Sequence, residues 1–503
     1  MTSVAQDYEN LKSQMLEVVR LETIGALLEY DEQTILPPAA AAYRGEQTSM
    51  IAGLQHEKAT SPFIGDVLKK LEDNISQFDE NSPERINVRE WRREYDKQVK
   101  IPRSLVEEIT LTGVNARSAW LDAKQKNDYA LFKPHLEKTF ELQLKVAEHL
   151  GYENEPYDAL LDQYEPGIKT DEVQSVLFEL RDAIIPLVKA IVDSDQKPQP
   201  NLLYGDFPSE LQHKLASDAA TMIGYDFTRG ILGKTAHPFC STLGPNDVRI
   251  TTRDNSEYFD INSVMHEAGH GIYEQNLPTE HFGTPLGTYA SLGVHESQSR
   301  FWENQIGRSR PFWEKIYAQA QDYFAPFKSV ELDDFLFALN EAKPSLIRIE
   351  SDELTYNLHI LIRFEIERGL INKEISFDEL PEVWNSKMKE YLGIDVPTDS
   401  EGCMQDIHWA LGAVGYFPTY SLGNIYSAQF ANAAEAELGK MEVLIGNGDF
   451  IKIRDWFAQN VHSKGRQYLP AKLVEVVTGK KPSAAYLIAY LKNRFGKLYN
   501  INL

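Results

Sequence analysis

Two histidines and a glutamate stand at the spacing of a metal-binding motif. Residues 266–270 read H-E-A-G-H, within a stretch whose apolar residues recur at helical spacing. On a helix, residues four apart project from the same face on neighbouring turns, so His266 and His270 can bind one ion. Glu267 can then reach a water on that ion rather than the ion itself. This is the H-E-x-x-H arrangement of zinc peptidases.

The histidines of the chain are concentrated around this motif. Five of the 12 histidines fall within the 59 residues from 237 to 295. The motif itself contains the small pair Ala268-Gly269, which allows its helix to pack closely against a neighbouring element. Both observations favour a metal site over a chance occurrence of the motif.

A catalytic zinc site has three protein ligands and one open position, so a third ligand is needed. The longer metzincin pattern is excluded, because Tyr273 and Asn276 stand where it requires glycine and histidine. Glu274 lies about 12 Å along the helix from the first histidine, too far to share an ion with it. We therefore expect the ligand on the next helix, where His295 and Glu296 are both candidates. Spacing alone does not choose between them.

Helical periodicity dominates the elements that must position these groups. Residues 1–222 are expected to form a helical N-terminal part, with breaks at prolines, and residues 223–503 a metal-binding catalytic part. Residues 224–254 are rich in Gly, Pro and Thr and contain β-branched residues, which predicts a small sheet. Residues 346–350 are expected to be extended. No repeat or low-complexity linker separates the parts, so residues 1–503 are expected to form one unit without a clean boundary.

Composition limits the class of protein and its partners. Acidic residues outnumber basic ones by 75 to 51 among 503 residues, and the net charge of −24 disfavours nucleic acid as a partner. Cys240 and Cys403 are the only cysteines, so a disulfide framework is excluded. With the polar N-terminal sequence, this predicts a cytoplasmic protein. No apolar run approaches the roughly 20 residues that span a bilayer, so no membrane association is expected.

Six strings in the second half of the chain follow one another in the order typical of one peptidase family. They are H-P-F at 237–239, D-x-R-x-T at 247–251, H-E-x-x-H at 266–270, H-E-S-Q at 295–298, I-R-x-x-A-D at 347–352 and G-x-x-Q-D-x-H-W at 402–409. The one departure is Ser351 in place of alanine, a small residue for a small one. The chain therefore resembles the carboxypeptidase Taq family of metallocarboxypeptidases.

This resemblance implies the fold and the cofactor. It implies a mainly α fold, a helical body split by a deep active-site groove with a small minor β-sheet, similar to neurolysin and angiotensin-converting enzyme. It assigns Glu296 as the third metal ligand beside His266 and His270. It also implies one divalent metal ion per chain, for which we expect zinc with cobalt and manganese as alternatives, and a homodimer.

The expected reaction is the hydrolysis of the last peptide bond of a peptide, with broad specificity. Glu267 is expected to act on a metal-activated water as general base and then as general acid toward the leaving amine. His408, Tyr416 and Tyr420 are candidates for stabilising the negative charge on the former carbonyl oxygen. Tyr420 is preferred, because it stands at the predicted entry to a helix.

Release of C-terminal residues requires a cation that binds the substrate carboxylate. Arg348 is the first candidate and Arg249 the second, since a planar guanidinium can bind a carboxylate through two hydrogen bonds. His237 either lines the substrate site or is a structural histidine. Gln405 and Asp406 either bind substrate or fix neighbouring groups.

Two other functions remain open at this point. The first is a related oligopeptidase that cuts peptides internally. The second is a non-catalytic peptide-binding protein that retains the metal. Product analysis separates these functions, because only the expected enzyme releases single C-terminal residues.

Overall fold

The computed structural model describes residues 3–501, and within them the chain is mainly helical with one small sheet. The N-terminal helices are α1 (Val4–Thr34), α2 (Ala41–Ala59), α3 (Pro62–Asp73), α4 (Pro83–Lys100), α5 (Arg103–Lys126), α6 (Tyr129–Leu150), α7 (Pro156–Leu161), α8 (Thr170–Asp193) and α9 (Ser209–Ile223). The later helices are α10 (Asn262–Gln275), α11 (Leu292–Arg300), α12 (Arg310–Tyr323), α13 (Leu332–Leu339), α14 (Tyr356–Ile371), α15 (Leu380–Leu392), α16 (Pro418–Leu438), α17 (Met441–Asn447), α18 (Phe450–Asn460), α19 (Pro470–Thr478) and α20 (Ala485–Tyr499). The strands are β1 (Leu232–Thr235), β2 (Cys240–Gly244) and β3 (Asp247–Arg253).

This architecture confirms the predicted mainly α fold with a small minor sheet. The sheet lies within residues 224–254, as the composition of that segment indicates. No helix within residues 3–501 is both long enough and apolar enough to cross a membrane. The likeness to neurolysin and angiotensin-converting enzyme stays a prediction.

The breaks predicted at Ser82-Pro83 and Ile101-Pro102 are helix boundaries. The Ser82 hydroxyl accepts a hydrogen bond from the Arg85 N–H at 3.4 Å, and Pro83 is the first residue of α4. α4 ends just before Ile101, and α5 begins directly after Pro102. A serine cap followed by proline is a strong helix start, since it satisfies one free N–H and presets the backbone.

The sheet supports the helix that carries the metal motif. β3 is the central strand: its Ile250 pairs with Leu232 of the parallel strand β1 and with Cys240 of the antiparallel strand β2. Asn246 turns the chain between β2 and β3 with a φ of 66°, a conformation that asparagine tolerates better than most residues. Ile250 is fully buried next to Gly271 of α10. The sheet therefore forms a firm surface against which α10 packs.

The segment 346–350 departs from its predicted extended conformation. It contains a 3-10 turn, Arg348–Glu350. The Ser351 N–H donates to the Arg348 carbonyl at 3.0 Å, and the Ser351 hydroxyl donates to the Ile347 carbonyl at 3.1 Å. A side chain that bonds nearby backbone in this way favours a turn over a strand. The prediction is wrong because local hydrogen bonds, rather than strand pairing, satisfy this backbone.

The helices α10, α11 and α16 lie inside the largest apolar core, which draws residues from Ala116 to Tyr499. In α10, Val264, Met265 and Ala268 have no exposed surface. α11 packs against both α10 and α16. Side chains on such buried helices are held in place by close packing on several sides.

Glycines permit the close approach of these three helices. A Cβ on Gly269 of α10 would lie 2.6 Å from the Cα of Ser299 and 2.7 Å from the carbonyl oxygen of Gln298, both on α11. A Cβ on Gly423 of α16 would lie 2.5 Å from the Cγ of Glu296. The backbones of α10 and α16 therefore approach α11 more closely than any side chain would allow.

Gly269→Ala is expected to lower the free energy of unfolding by about 1–3 kcal/mol, because the added methyl group overlaps the backbone of α11. Denaturant unfolding of the two proteins measures this difference. Gly113→Ala is the matched control, since nothing lies within 4 Å of a Cβ at that position in α5. There we expect a gain of up to about 1 kcal/mol from helix propensity. Equal destabilisation by the two variants would contradict the close approach.

Candidate metal centre and active site

The helix α10 positions two imidazoles on one face. In its first turn, the Ser263 N–H donates a hydrogen bond at 3.1 Å to the carboxylate of Asp260, which lies just before the helix. His266 and His270 lie one turn apart on this helix, with ring centroids separated by 4.9 Å. Burial lowers the pKa of His270 to about 3, so its imidazole is neutral and offers a lone pair. The predicted helical spacing of the motif is confirmed.

The helix α11 brings a carboxylate to these imidazoles. Its first turn is fixed by Ser291, whose hydroxyl accepts from the Val294 N–H at 3.0 Å. The Glu296 Oε2 atom lies 3.6 Å from His266 Nε2 and 3.5 Å from His270 Nε2. One donor atom from each of the three residues falls within 4.8 Å of the others. The third group of this cluster therefore comes from the next helix, where the sequence places its candidates.

The geometry of this group fits a small divalent ion. Donors that surround zinc tetrahedrally at about 2.0–2.1 Å are about 3.4 Å apart. The two distances to Glu296 Oε2, 3.6 Å and 3.5 Å, come close to this value. Two imidazole nitrogens and one carboxylate oxygen are also a donor set that zinc accepts in catalytic sites. His266, His270 and Glu296 are thus suited to hold a metal ion.

His295, the alternative third ligand, faces elsewhere. Its Nε2 atom lies 2.9 Å from Oε1 of Glu274. Its ring stacks on the ring of His270 at a centroid distance of 4.4 Å. His295 therefore supports His270 from the side, while the adjacent Glu296 faces the imidazole nitrogens.

Glu267 is a buried carboxylate beside this group. It is 7% exposed, and burial raises its pKa to about 7; the nearby His266 opposes this shift, while the Glu296 and Glu303 carboxylates add to it. A carboxylate with a pKa near neutrality is a stronger base than an ordinary one and can also return a proton. Its place between the two histidines in the sequence puts it on the same helix as the metal-binding pair.

Two tyrosines and a histidine form a wall near Glu296. Tyr416 precedes α16 and Tyr420 lies in its first turn, as the sequence predicts, and their ring centroids are 5.3 Å apart. His408 lies 5.5 Å from Tyr416 and 6.5 Å from Tyr420 by the same measure. Burial and the neighbouring Tyr356 and Tyr416 raise the pKa of Tyr420 well above its ordinary value, and the Glu296 carboxylate adds to this. The structure therefore brings all three candidate oxyanion donors together.

The Arg348 side chain is buried in an ion-pair cluster behind this wall. Its Nε and Nη2 atoms donate to Oδ1 of Asp406 at 3.0 and 2.8 Å, and its backbone N–H donates to Gln405 Oε1 at 2.9 Å. Arg363 donates to the other oxygen of Asp406 at 2.7 Å. The guanidinium of Arg348 also lies 5.3 Å from the ring centre of Tyr420. Two arginines share one aspartate here, so the cluster carries a net positive charge.

His408 adjoins this cluster as a neutral group. Its Nδ1 atom lies 4.0 Å from Oδ1 of Asp406. Burial lowers the pKa of His408 to about 4, even though the Asp406 carboxylate opposes this shift. A neutral imidazole can act as a hydrogen-bond donor without adding a charge.

Arg249 and His237 belong to the sheet. Arg249 donates two hydrogen bonds to the carboxylate of Asp247, each 2.9 Å long, and its guanidinium lies 4.9 Å from the ring centre of Tyr30 in α1. His237 is exposed between β1 and β2. Arg249 thus contacts α1 and the sheet, whereas Arg348 lies against Tyr420, one of the three candidate oxyanion donors.

A cavity of about 380 Å³ lies beside the metal centre. Its walls come from α1, the β2–β3 hairpin, the end of α10 and the segment that leads into α11. His295 and Glu274 line it on the side of the metal centre. His295 therefore separates this cavity from the ring of His270.

Sequence reasoning missed four charged or aromatic residues that contact the candidate site. They are Arg300, Glu303, Tyr356 and Arg363. The positions of Arg300 and Glu303, four and seven residues after Glu296, were a usable signal, since such residues share one helix face. Tyr356 and Arg363 come from α14, distant in sequence from the metal motif, and only the folded chain reveals their contacts.

A helix that carries H-E-x-x-H and receives a carboxylate from the next helix is the arrangement of a metallopeptidase. The sequence model described as Carboxypeptidase Taq (M32) metallopeptidase matches residues 10–495. The chain belongs to this family, and it is a metallocarboxypeptidase that depends on a divalent metal.

Individual relatives agree with this assignment. The chain is 42% identical to Thermostable carboxypeptidase 1 of Thermus thermophilus, over 98% of this chain and 99% of that one. It is 39% identical to Carboxypeptidase 1 of Bacillus subtilis, over 94% of this chain and 95% of that one. The crystal structure of a carboxypeptidase from Deinococcus radiodurans R1 matches with a TM-score of 0.94 and 36% identity, covering 98% of this chain and all of that one.

Proposed function

We propose that this enzyme releases single amino acids from the C-termini of peptides with broad specificity. His266, His270 and Glu296 hold the metal, and Glu267 acts as general base and acid. The observation that supports the proposal is the convergence of three donor atoms within 4.8 Å of one another, two from α10 and one from α11, on the helix pair that also carries the buried Glu267. We propose one zinc ion per chain, with cobalt or manganese as alternatives, since imidazole and carboxylate donors suit all three.

When bound, a divalent ion at this position supplies Lewis-acid chemistry, which polarises the scissile carbonyl and acidifies a water molecule. Glu267 removes the proton from this water as its oxygen attacks the carbonyl carbon. The bond between carbon and nitrogen then breaks, and Glu267 returns the proton to the leaving amine. One carboxyl group thus serves both steps, which a pKa near 7 favours.

Tyr416, Tyr420 and His408 stabilise the negative charge that develops on the carbonyl oxygen. Tyr420 is the proposed main donor, because it lies in the first turn of α16 and close to the proposed metal ligand Glu296, whose charge contributes to its raised pKa. Tyr416 and His408, which contact it, are proposed to orient the substrate or share the charge. The hydroxyl of Tyr420 remains protonated, since its pKa is raised well above its ordinary value.

Tyr420→Phe is expected to lower kcat by about 10²–10³-fold with a smaller change in KM, because the lost hydrogen bond acts mainly in the transition state. Steady-state kinetics on a blocked short peptide measures this effect. Tyr416→Phe removes the same hydroxyl from the adjacent ring and is the matched comparison. A larger loss in Tyr416→Phe than in Tyr420→Phe would assign the role to Tyr416 instead.

The Arg348 cluster binds the terminal carboxylate of the substrate. Two guanidinium groups share one carboxylate in this cluster, so one positive charge is left to attract an anion. Gln405 and Asp406 fix Arg348 in place through their hydrogen bonds to its backbone and side chain. Arg249 is the second candidate for the carboxylate, and His237 is proposed to line the substrate site from the side of the sheet.

A time course on one blocked short peptide, prepared with a free and with an amidated C-terminus, tests the proposed function. We expect a ladder that loses one C-terminal residue at a time from the free peptide. We expect little cleavage of the amidated peptide, because the amide carries no charge for the Arg348 cluster. Mass spectrometry of the products and release of free amino acids follow the reaction, before and after chelation of the metal.

Each other outcome of this experiment indicates an alternative function. Internal fragments from both peptides would indicate an oligopeptidase. Bound metal without turnover of either peptide would indicate a non-catalytic peptide-binding protein. Family membership favours the carboxypeptidase over both.

We further propose that residues 1–503 act as one catalytic unit in the cytoplasm and assemble as a homodimer. The largest apolar core draws on residues from Ala116 to Tyr499, which supports a single unit. The presence of two cysteines in 503 residues supports a reducing compartment. The net charge of −24 disfavours nucleic acid as a partner, which leaves peptides as the proposed ligands. Sedimentation at several concentrations tests the dimer.

A further inference from the structure

Four side chains form a closed ring of contacts around the proposed metal site. The Nε atom of Arg300 donates to Oε1 of Glu296 at 2.6 Å, and its Nη1 atom donates to Oε2 of Glu303 at 3.4 Å. The same oxygen of Glu303 lies 2.8 Å from Nδ1 of His266. Nε2 of His266 lies 3.6 Å from Oε2 of Glu296, which closes the ring.

A change of helix type places Glu303 under His266. α11 ends at Arg300, and the chain continues as a π-helix, Phe301–Ile306. π-helical turns are rare and frequently lie at functional sites. Glu296, Arg300 and Glu303 follow one another along one face of this continuous segment. One segment therefore supplies a proposed metal ligand, a cation and a second carboxylate.

We propose that Arg300 and Glu303 are positioning residues that set how the protein coordinates its metal. This inference rests on the proposed metal site. Arg300 restricts Glu296 to binding through one oxygen atom, and Glu303 fixes the orientation and tautomer of His266. Neither residue contacts the reacting bond.

The role of Arg300 follows from the two oxygens of Glu296. Oε1 is bonded to the guanidinium, and Oε2 faces the nitrogens of His266 and His270. A carboxylate whose second oxygen is held by a charged donor binds an ion through the remaining oxygen. Without Arg300, both oxygens are free to bind the ion, which would fill the position that the substrate requires.

The role of Glu303 follows from the two nitrogens of His266. When Nδ1 donates its proton to Glu303, the lone pair of the neutral ring is on Nε2, toward Glu296 and the ion. Carboxylates that hold metal-binding histidines in this way raise ligand basicity, and their loss costs about 10–100-fold in metal affinity. Arg308 lies 3.6 Å from the other oxygen of Glu303 and helps to balance its charge.

A purely structural role for these residues predicts a different pattern. The ring would then be a set of buried ion pairs that hold the helical segment together. Loss of either residue would weaken the protein and, with it, the metal site in the same direction. The proposed roles predict a loss of metal affinity for the Glu303 variant only, so the two explanations can be separated.

Arg300→Gln and Glu303→Gln test the proposal in the cobalt-loaded full-length enzyme. Cobalt affinity is measured by competition with a chromophoric chelator, and coordination by the visible absorption per bound cobalt, which falls as the number of ligands rises. We expect Glu303→Gln to weaken cobalt binding about 10–100-fold. We expect Arg300→Gln to bind cobalt at least as tightly as the wild type but with weaker absorption per ion, because Glu296 then binds through both oxygens.

Conservative and control variants complete the design. Arg300→Lys keeps the charge but not the planar fork, and we expect an intermediate spectrum. If Arg300→Gln does not fold, Arg300→Lys replaces it, with weaker absorption than the wild type as the expected result. Arg368→Gln breaks a two-bond ion pair with Glu155, and is expected to leave the spectrum and the affinity unchanged.

Two results would overturn the inference: an unchanged cobalt spectrum in the Arg300 variant, or an unchanged cobalt affinity in Glu303→Gln. A fall in cobalt affinity in both variants, with a cobalt spectrum that is unchanged in each, would support the structural role. That result would also overturn the inference. Failure of the wild type to bind one cobalt per chain would instead contradict the proposed metal site. Neither measurement depends on peptide turnover, so the two failures are distinguishable.

Discussion

Glu267→Gln is expected to reduce kcat by about 10²–10⁴-fold, while the metal stays bound and KM changes little. The amide of glutamine fills nearly the same space but cannot remove a proton from water or return one to the leaving amine. Glu267 is buried and has a pKa near 7. The substitution therefore removes a buried base rather than a charge on the protein surface. Initial rates on the blocked peptide, together with metal content per chain, measure both parts of this expectation.

Glu280→Gln is the matched control for this change. Glu280 is exposed just beyond the end of α10, so the same loss of charge is made near the site without touching it. We expect wild-type rates from this control. Near wild-type activity in Glu267→Gln would exclude Glu267 as the general base, and activity lost together with the metal would make it a ligand instead.

Glu296→Gln is expected to abolish tight metal binding and peptide hydrolysis together. The change removes the anionic donor whose oxygen lies 3.6 and 3.5 Å from the two imidazole nitrogens. It also leaves Arg300 without the carboxylate that it bonds at 2.6 Å. Loss of a residue that hydrogen-bonds to a metal ligand costs about 10–100-fold in metal affinity. We expect the loss of the ligand itself to cost more. Chelator competition and metal analysis after gel filtration measure this loss.

The pattern of recovery distinguishes a lost ligand from a misfolded protein. With Glu296→Gln, we expect activity to return in part when metal is supplied in excess, since His266 and His270 remain. Glu314→Gln, an exposed position on α12, is the matched control and should keep both metal and activity. Undiminished metal affinity in Glu296→Gln would exclude Glu296 as a ligand and reopen the choice of third ligand.

Motif spacing was a good guide wherever the relevant geometry is local. The H-E-x-x-H helix and the small sheet are present at the predicted segments. Both follow from hydrogen bonds and periodicity over a few residues, which the sequence encodes directly. The extended conformation predicted for 346–350 failed at this same scale, because a serine side chain closes a turn there.

Arg348 illustrates what the sequence left open. Its residue type predicts carboxylate binding, and the structure shows it bonded to Asp406, which Arg363 also holds. Asp406 and Arg363 lie 58 and 15 residues from Arg348 along the chain, so no local pattern predicts the cluster. Its net positive charge is a property of the folded chain, and this charge supports the proposed role.

The sequence by itself determined the donor types, the spacing of His266 and His270, and the helix on which a third ligand must lie. Spacing left His295 and Glu296 open and the family resemblance favoured Glu296; in the tertiary structure it is Glu296 that faces the two imidazoles. Neighbours on a helix point about 100° apart, so only the packing of α11 between α10 and α16 determines which one faces the imidazoles. The glycines at 269 and 423 permit this packing, because a Cβ at either position would lie only 2.5–2.6 Å from an atom of α11.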